Sequence, residues 1–124
     1  MKILVADDNP INRLLIQCSL EKEHHIDLAA DGLEAFNKAI CMPYDLILMD
    51  LSMPVLDGAQ AILKIREWEK SQRTCTPILV FTTIINSGER KRCIAYGATR
   101  YLHKPMRPRL LKEIINSYQK DKVK

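Results

Sequence analysis

"DLILMD", residues 45–50, sets four apolar side chains in a row, Leu46 to Met49, and ends the run in an acid. A short continuous apolar stretch with polar bounds reads as a strand covered on both faces, as in a parallel sheet between helices. The residue that closes it, Asp50, is followed at once by "LSMP". A carboxylate at the mouth of an apolar strand is unfavourable unless a cation, a hydrogen-bond donor or a chemical task accompanies it.

Outward from this run, four more apolar runs alternate with segments of helical period. "KILVA" (2–6) precedes Asn9, a natural helix N-cap, and Pro10, suited to the first helical position. In the helix that follows, Ile11, Leu14, Leu15 and Cys18 fall on one face; the core stripe is expected to take Leu14, Leu15 and Cys18 in part, which leaves apolar residues over among Ile11, Ile16 and Leu20 as a docking spot for a helical partner. "IDLAA" (26–30) alternates as a less deeply buried strand would, and "LEAFNKAI" is a short helix stopped by Pro43. After Asp50, "AQAILKIREWEK" (59–70) keeps helical spacing through Ala61, Ile62, Ile65 and Trp68. "PILVFT" (77–82) is the fourth strand, and a basic helix from about Ser87 to Tyr96 ends at Gly97. "TRYLH" (99–103) is the fifth strand, and the last helix starts near Pro108 with Leu110, Leu111, Ile114, Ile115 and Tyr118 apolar. Strand then helix, five times over, predicts an α/β fold with a doubly wound parallel sheet.

With 124 residues, the chain suits a single domain, with its core over about 2–119 and a short basic tail. No apolar run approaches the roughly 20 residues of a membrane span. "MKILVADDN" turns acidic too early for a secretory signal, so a cytoplasmic protein without a membrane partner is expected. Four widely spaced cysteines form no CxxC and exclude a disulfide framework or zinc site. Cys18 and Cys93 are expected as buried thiols, His24 and His25 as a surface pair, and His103 as a strand residue. Net charge is +4, and basic residues gather in "GERKR" (88–92), "KPMRPR" (104–109) and "KDKVK" (120–124). These read as solvated helix faces rather than a specific nucleic-acid surface.

The ligand crevice of an open parallel sheet lies outside the carboxyl ends of its strands. Asp7 and Asp8 follow the first strand, Asp50 ends the third, Thr82 ends the fourth and Lys104 follows the fifth. The topology therefore brings these scattered residues to one rim. Clustered carboxylates repel one another, and a divalent cation such as Mg²⁺ relieves the conflict with oxygen ligands. A lysine and a hydroxyl beside them complete a site for a phosphoryl group, and an aspartate is a competent nucleophile. There is no Gly-rich phosphate loop. Asp31 and Asp57, each before glycine, are expected as turn residues.

"ILVADDNPINR", "DLILMDLSMPVLDG", "PILVFTT" and "GATRYLHKP" together resemble the receiver domain of two-component response regulators, from about Lys2 to Tyr118. The resemblance implies a (βα)5 flavodoxin-like fold with strand order 2-1-3-4-5. It implies that Asp50 is the phosphoacceptor and that Asp7, Asp8, Asp50 and the main-chain carbonyl of Ser52 hold Mg²⁺. It also implies that Lys104 contacts the phosphoryl group before a cis Lys104–Pro105 bond, and that Thr82 and Tyr101 form the switch pair. The implied partners are a histidine kinase or histidine phosphotransfer protein and a downstream protein target, with signalling through the face built by the fourth helix, fifth strand and fifth helix. Thr83 stands where an alanine is usual, and Ile84 and Ile85 make the next loop unusually apolar.

The chain reads as a signalling module, not a turnover enzyme. No stretch after Tyr118 suffices for an output domain. It is therefore expected as a free-standing regulator or a piece of a hybrid kinase, with Met1 directly before the first strand inclining toward the former. The competing reading is a Mg²⁺-dependent phosphatase or phosphotransferase with an aspartyl-phosphate intermediate. Such enzymes commonly carry DxD at the nucleophile, whereas Leu51 and Ser52 follow Asp50 here. A flavin-binding protein would need a hydroxyl-rich phosphate loop in place of "DDNPIN".

Overall fold

Residues 1–123 are described by a computed structural model, with side chains described as far as Gln119. The apolar runs form β1 (Lys2–Ala6), β2 (His25–Ala29), β3 (Leu46–Met49), β4 (Ile78–Thr82) and β5 (Arg100–His103). The helical segments form α1 (Pro10–Leu20), α2 (Gly32–Cys41), α3 (Gly58–Glu69), α4 (Ser87–Tyr96) and α5 (Pro108–Val123). Every ladder is parallel and the strand order is β2-β1-β3-β4-β5, the expected (βα)5 arrangement. The side chains of the expected basic tail, 120–124, lie outside the described residues. Among the described residues no helix is long and apolar enough to cross a membrane.

Side chains alternate across a strand, so β1, β3 and β4 feed two cores. Leu4, Ile47, Met49, Ile78 and Val80 face α2, α3 and α4, where they meet Ala35, Ala59, Ile62 and Cys93. Ile3, Val5, Leu46, Leu48 and Leu79 face α1 and α5, where they meet Ile16, Leu20, Leu111 and Ile115. The strands β2 and β5 close the two edges, and the expected shallower burial of β2 is found.

Each of the first four helices begins on a polar cap. Asn9 Oδ1 accepts from the amides of Ile11 and Asn12 at 2.9 and 3.2 Å. Asp31 and Asp57 do more than turn the chain. Their carboxylates cap α2 and α3 by accepting from Glu34 N at 2.7 Å and Gln60 N at 2.9 Å. Asn86 caps α4, and Gly97, at φ +116°, ends it.

Three expectations are corrected. Leu14 and Leu15 of α1 are exposed, and Cys18 with them; Ile16 and Leu20, expected among the residues left over, are the buried ones, while Ile11 is exposed as expected. α1 carries two apolar rows, and the shorter i, i+4 pair is the one turned to the sheet. His24 is buried, its Nδ1 lying 3.1 Å from the Met1 amine. Burial, and then the nearby ammonium, hold this imidazole below its usual pKa. Cys93 is buried as expected, and burial raises its thiol pKa to about 11.

The β3–α3 loop holds an exposed valine, Val55, at φ +70°. That left-handed conformation costs a non-glycine residue about 1–2 kcal/mol, and a glycine forfeits roughly 0.5–1 kcal/mol in chain entropy. Val55→Gly is expected to stabilise the fold by up to about 1 kcal/mol. Chemical denaturation checks this, and a fall in stability would show that the strain is relieved elsewhere.

Candidate functional site

Asp7 leaves β1 with its amide donating to Ala29 O at 3.0 Å, which extends the β1–β2 pairing one residue past the strand. Its side chain is 2% exposed and accepts from Asn9 N at 2.9 Å through Oδ1. Arg13 Nη1 donates to the Asp7 carbonyl at 2.7 Å, anchoring the first turns of α1 to this corner. Asp8 is exposed.

Asp50 sits on the neighbouring strand end, its amide donating to Ala6 O at 2.9 Å. Its carboxylate accepts from Ser52 N at 3.4 Å. Behind it, α3 begins in close contact: a Cβ on Gly58 would fall 2.1 Å from the Asp50 carbonyl oxygen. Only glycine lets the helix start there. One oxygen from each of Asp7, Asp8 and Asp50 can be chosen so that all lie within 4.8 Å of one another.

Lys104 reaches the same point from β5. Its amide donates to Thr82 O at 2.8 Å, and the Lys104–Pro105 bond is cis. The ammonium pairs closely with Asp7 Oδ2 and lies 3.3 Å from Asp50 Oδ2. It also stands 5.4 Å from the Phe81 ring centroid. Three carboxylates thus face one ammonium, an all-oxygen, negatively charged donor set of the kind a hard divalent cation prefers.

Thr82 is buried at the end of β4, and its Oγ1 accepts from Ile84 N at 3.3 Å. Tyr101 lies beyond, half-buried against the α2–α4 side core, and its hydroxyl donates to Ile84 O at 2.8 Å. Burial raises the Tyr101 pKa, keeping the phenol protonated to donate. One peptide segment, Ile84, therefore serves both hydroxyls. Its side chain packs on the core, whereas Ile85 is exposed.

Of the residues anticipated from the sequence, Asp7, Asp8, Asp50 and Lys104 meet directly. Thr82 stands on the adjacent strand end, and Tyr101 joins it through Ile84. Ser52 is exposed and brings no carboxylate two positions beyond Asp50, so the DxD phosphatase reading is not favoured. Thr83 lines a cavity of about 400 Å³ with Asn12, Leu15, Lys104 and Met106, between α1 and α5. Sequence reasoning missed the Arg13 anchor and the close approach at Gly58. The glycine after Asp57 was a signal for the second.

The family model of the response regulator receiver domain matches residues 3–116. The chain is 39% identical over 124 residues to hybrid signal transduction histidine kinase I of Dictyostelium discoideum, an alignment covering 94% of this chain and 7% of that protein. It is 38% identical over 116 residues to the sensor histidine kinase GacS of Pseudomonas protegens, covering 92% of this chain and 13% of that protein. The chain thus spans a small fraction of these curated relatives. Among solved structures, it is similar to the receiver domain of a sensor histidine kinase from Pseudomonas aeruginosa PAO1, which has a magnesium ion coordinated in its active site cleft. Identity is 36% and the TM-score 0.84, over 94% of this chain and 95% of that one. It also resembles the chemotaxis protein CheY4 of Vibrio cholerae, with 33% identity and a TM-score of 0.85 over 94% of this chain and 97% of that one.

Proposed function

The chain belongs to the response regulator receiver domain family, and from that premise we propose that Asp50 accepts a phosphoryl group from a phosphohistidine and that the chain acts as one cytoplasmic receiver domain. The observation that carries this is the convergence of Asp7, Asp8, Asp50 and Lys104 on one rim, with carboxylate oxygens within 4.8 Å. An oxygen of Asp50 attacks phosphorus, an O–P bond forms and the P–N bond breaks. The departing ring nitrogen keeps the bonding pair and takes a proton from water. The Lys104 ammonium shifts from its carboxylate partners to a phosphoryl oxygen, which places the group against β5. The Asp7, Asp8 and Asp50 carboxylates and the Ser52 main-chain carbonyl would hold Mg²⁺. When bound, the ion offsets negative charge between the carboxylates and the phosphoryl oxygens.

The acyl phosphate adds charge and acceptor oxygens beside Thr82. The Thr82 hydroxyl turns to donate to it, and Ile84, bonded to both Thr82 and Tyr101, carries the change to the α4–β5–α5 face. This is a population shift biased by one covalent group. The partners are a histidine kinase or histidine phosphotransfer protein as donor and a protein target downstream. The test is incubation with acetyl phosphate with and without Mg²⁺, read by intact mass. Gain of one phosphoryl group only with Mg²⁺ is expected, and no gain would overturn the proposal.

The exposed α1 row beside the site suits the phosphohistidine donor. Ile11, Leu14 and Leu15 form an apolar patch, and Leu15 lines the cavity that also contains Lys104. Ile11→Glu is expected to slow phosphorylation by the donor protein roughly tenfold, as loss of an interface anchor does. Labelling by acetyl phosphate should persist. Equal loss of both would make Ile11 a residue of the fold, and equal retention would move docking elsewhere.

A further inference from the structure

The cavity of about 400 Å³ between α1 and α5 has mostly apolar walls: Leu15 and Ile16 from α1, Phe81 from β4, Pro105 and Met106 after β5, and Leu111 from α5. Lys104 is the one charged residue in the described lining. The Thr83 hydroxyl and the Asn12 carboxamide add neutral donors.

The same Lys104 ammonium pairs with Asp7 and lies 3.3 Å from Asp50 Oδ2. Lys104 is therefore a wall shared by the cavity and the carboxylate rim. A small molecule that spans both has a phosphoryl end at the rim and an uncharged apolar end in the cavity. A cavity of this volume lies within the range of small-ligand sites, roughly 300–1,000 Å³. An acetyl group would leave most of it unfilled.

We propose that the cavity takes the acyl chain of a small acyl phosphate, so that the chain accepts phosphate from such donors directly and prefers tails longer than acetyl. The proposal rests on the reading of Asp50 as the phosphoacceptor and names a second donor class for that site. An oxygen of Asp50 attacks phosphorus and an O–P bond forms. The bond from phosphorus to the acyl oxygen breaks, and the carboxylate leaves with the bonding pair. No proton is transferred. The neutral donors of Thr83 and Asn12 suit the acyl carbonyl, and the apolar walls bury the chain.

The test compares acetyl, butyryl and hexanoyl phosphate as donors to the full chain with Mg²⁺, read by intact mass against time. Their carboxylates are nearly equal leaving groups, so a difference in rate reports how the chain is bound. The second-order rate constant should rise about tenfold from acetyl to butyryl, as burial of two methylenes gives. Ser19 is half-buried on α1 and lines the cavity. Ser19→Phe fills that space and should bring butyryl phosphate down to the acetyl rate, with acetyl labelling unchanged. Asp50→Asn supplies a readout without turnover. In it, butyryl phosphate with Mg²⁺ should shift the methyl resonances of Leu15, Met106 and Leu111, and acetyl phosphate should shift them far less. Equal wild-type rates along the series, or no such methyl shifts, would overturn the proposal while acetyl labelling kept Asp50 as phosphoacceptor. A butyryl preference that survives in folded Ser19→Phe would overturn it too. So would flat rates together with slower labelling of Ser19→Phe by the phosphohistidine protein, which would give the cavity to a side chain of that protein. Failure of all three donors to label the wild type would sink the phosphoacceptor reading and the proposal with it.

Discussion

Asp50→Asn is expected to abolish phosphoryl uptake while leaving the fold intact. The carboxamide has nearly the shape of the carboxylate but lacks an anionic oxygen to attack phosphorus. Its neighbours tolerate the change. Lys104 keeps its contact with Asp7, and the amide hydrogen bond from residue 50 to Ala6 O belongs to the backbone. The substitution also removes one of three carboxylates packed within 4.8 Å, which relieves like-charge repulsion. Thermal stability should match or exceed that of the wild type. With acetyl phosphate and Mg²⁺, the wild type should gain mass and lose it on hydroxylamine treatment, as an acyl phosphate does. The variant should show neither change. Hydroxylamine-labile labelling of the variant equal to the wild type would remove Asp50 from the role.

The α/β order was legible because the central strands are apolar on both faces and short, and the helices between them carry their own stops. The end of Ser87–Tyr96 was placed correctly because Gly97 is a chemical stop signal. The rim of Asp7, Asp8, Asp50, Thr82 and Lys104 followed from topology alone, since consecutive strands in a parallel sheet present the same end. What failed was the choice of face on α1. Ile11, Leu14, Leu15 and Cys18 match the helical period better than Ile16 and Leu20, yet the sheet covers the second set. Periodicity locates an apolar row and does not say whether the fold or a partner covers it. His24 likewise looked like half of a surface pair, and only the close approach of Met1 and Asn116 reveals its burial. The bond from Tyr101 to Ile84 O depends on a loop conformation that no local pattern specifies.

Lys104→Met should make stability depend on Mg²⁺. Among the described residues the ammonium is the one cationic side chain paired with the Asp7 and Asp50 carboxylates, whose side chains are 2% and 11% exposed. Methionine keeps much of the apolar stem beside Phe81 and removes only the charge. Breaking a fully buried ion pair from one side costs roughly 3–5 kcal/mol, because the remaining charge stays desolvated. Here Asp8 opens the site to water, so a loss of about 2–3 kcal/mol is expected in chelator. A divalent cation on the same oxygens replaces the missing charge and binds the folded state alone, so it should restore stability by mass action. The melting temperature of the variant should therefore rise far more with added Mg²⁺ than that of the wild type. Phosphate uptake should be impaired less than signalling, because Asp50 keeps its nucleophilic oxygen while the link from the phosphoryl group to β5 is lost. Phosphate-dependent NMR shifts at Tyr101 should shrink accordingly. Equal melting temperatures of variant and wild type in chelator would show that Lys104 does not neutralise this cluster. Full Tyr101 shifts in the variant would leave Thr82 and Ile84 as the only route from Asp50 to the α4–β5–α5 face.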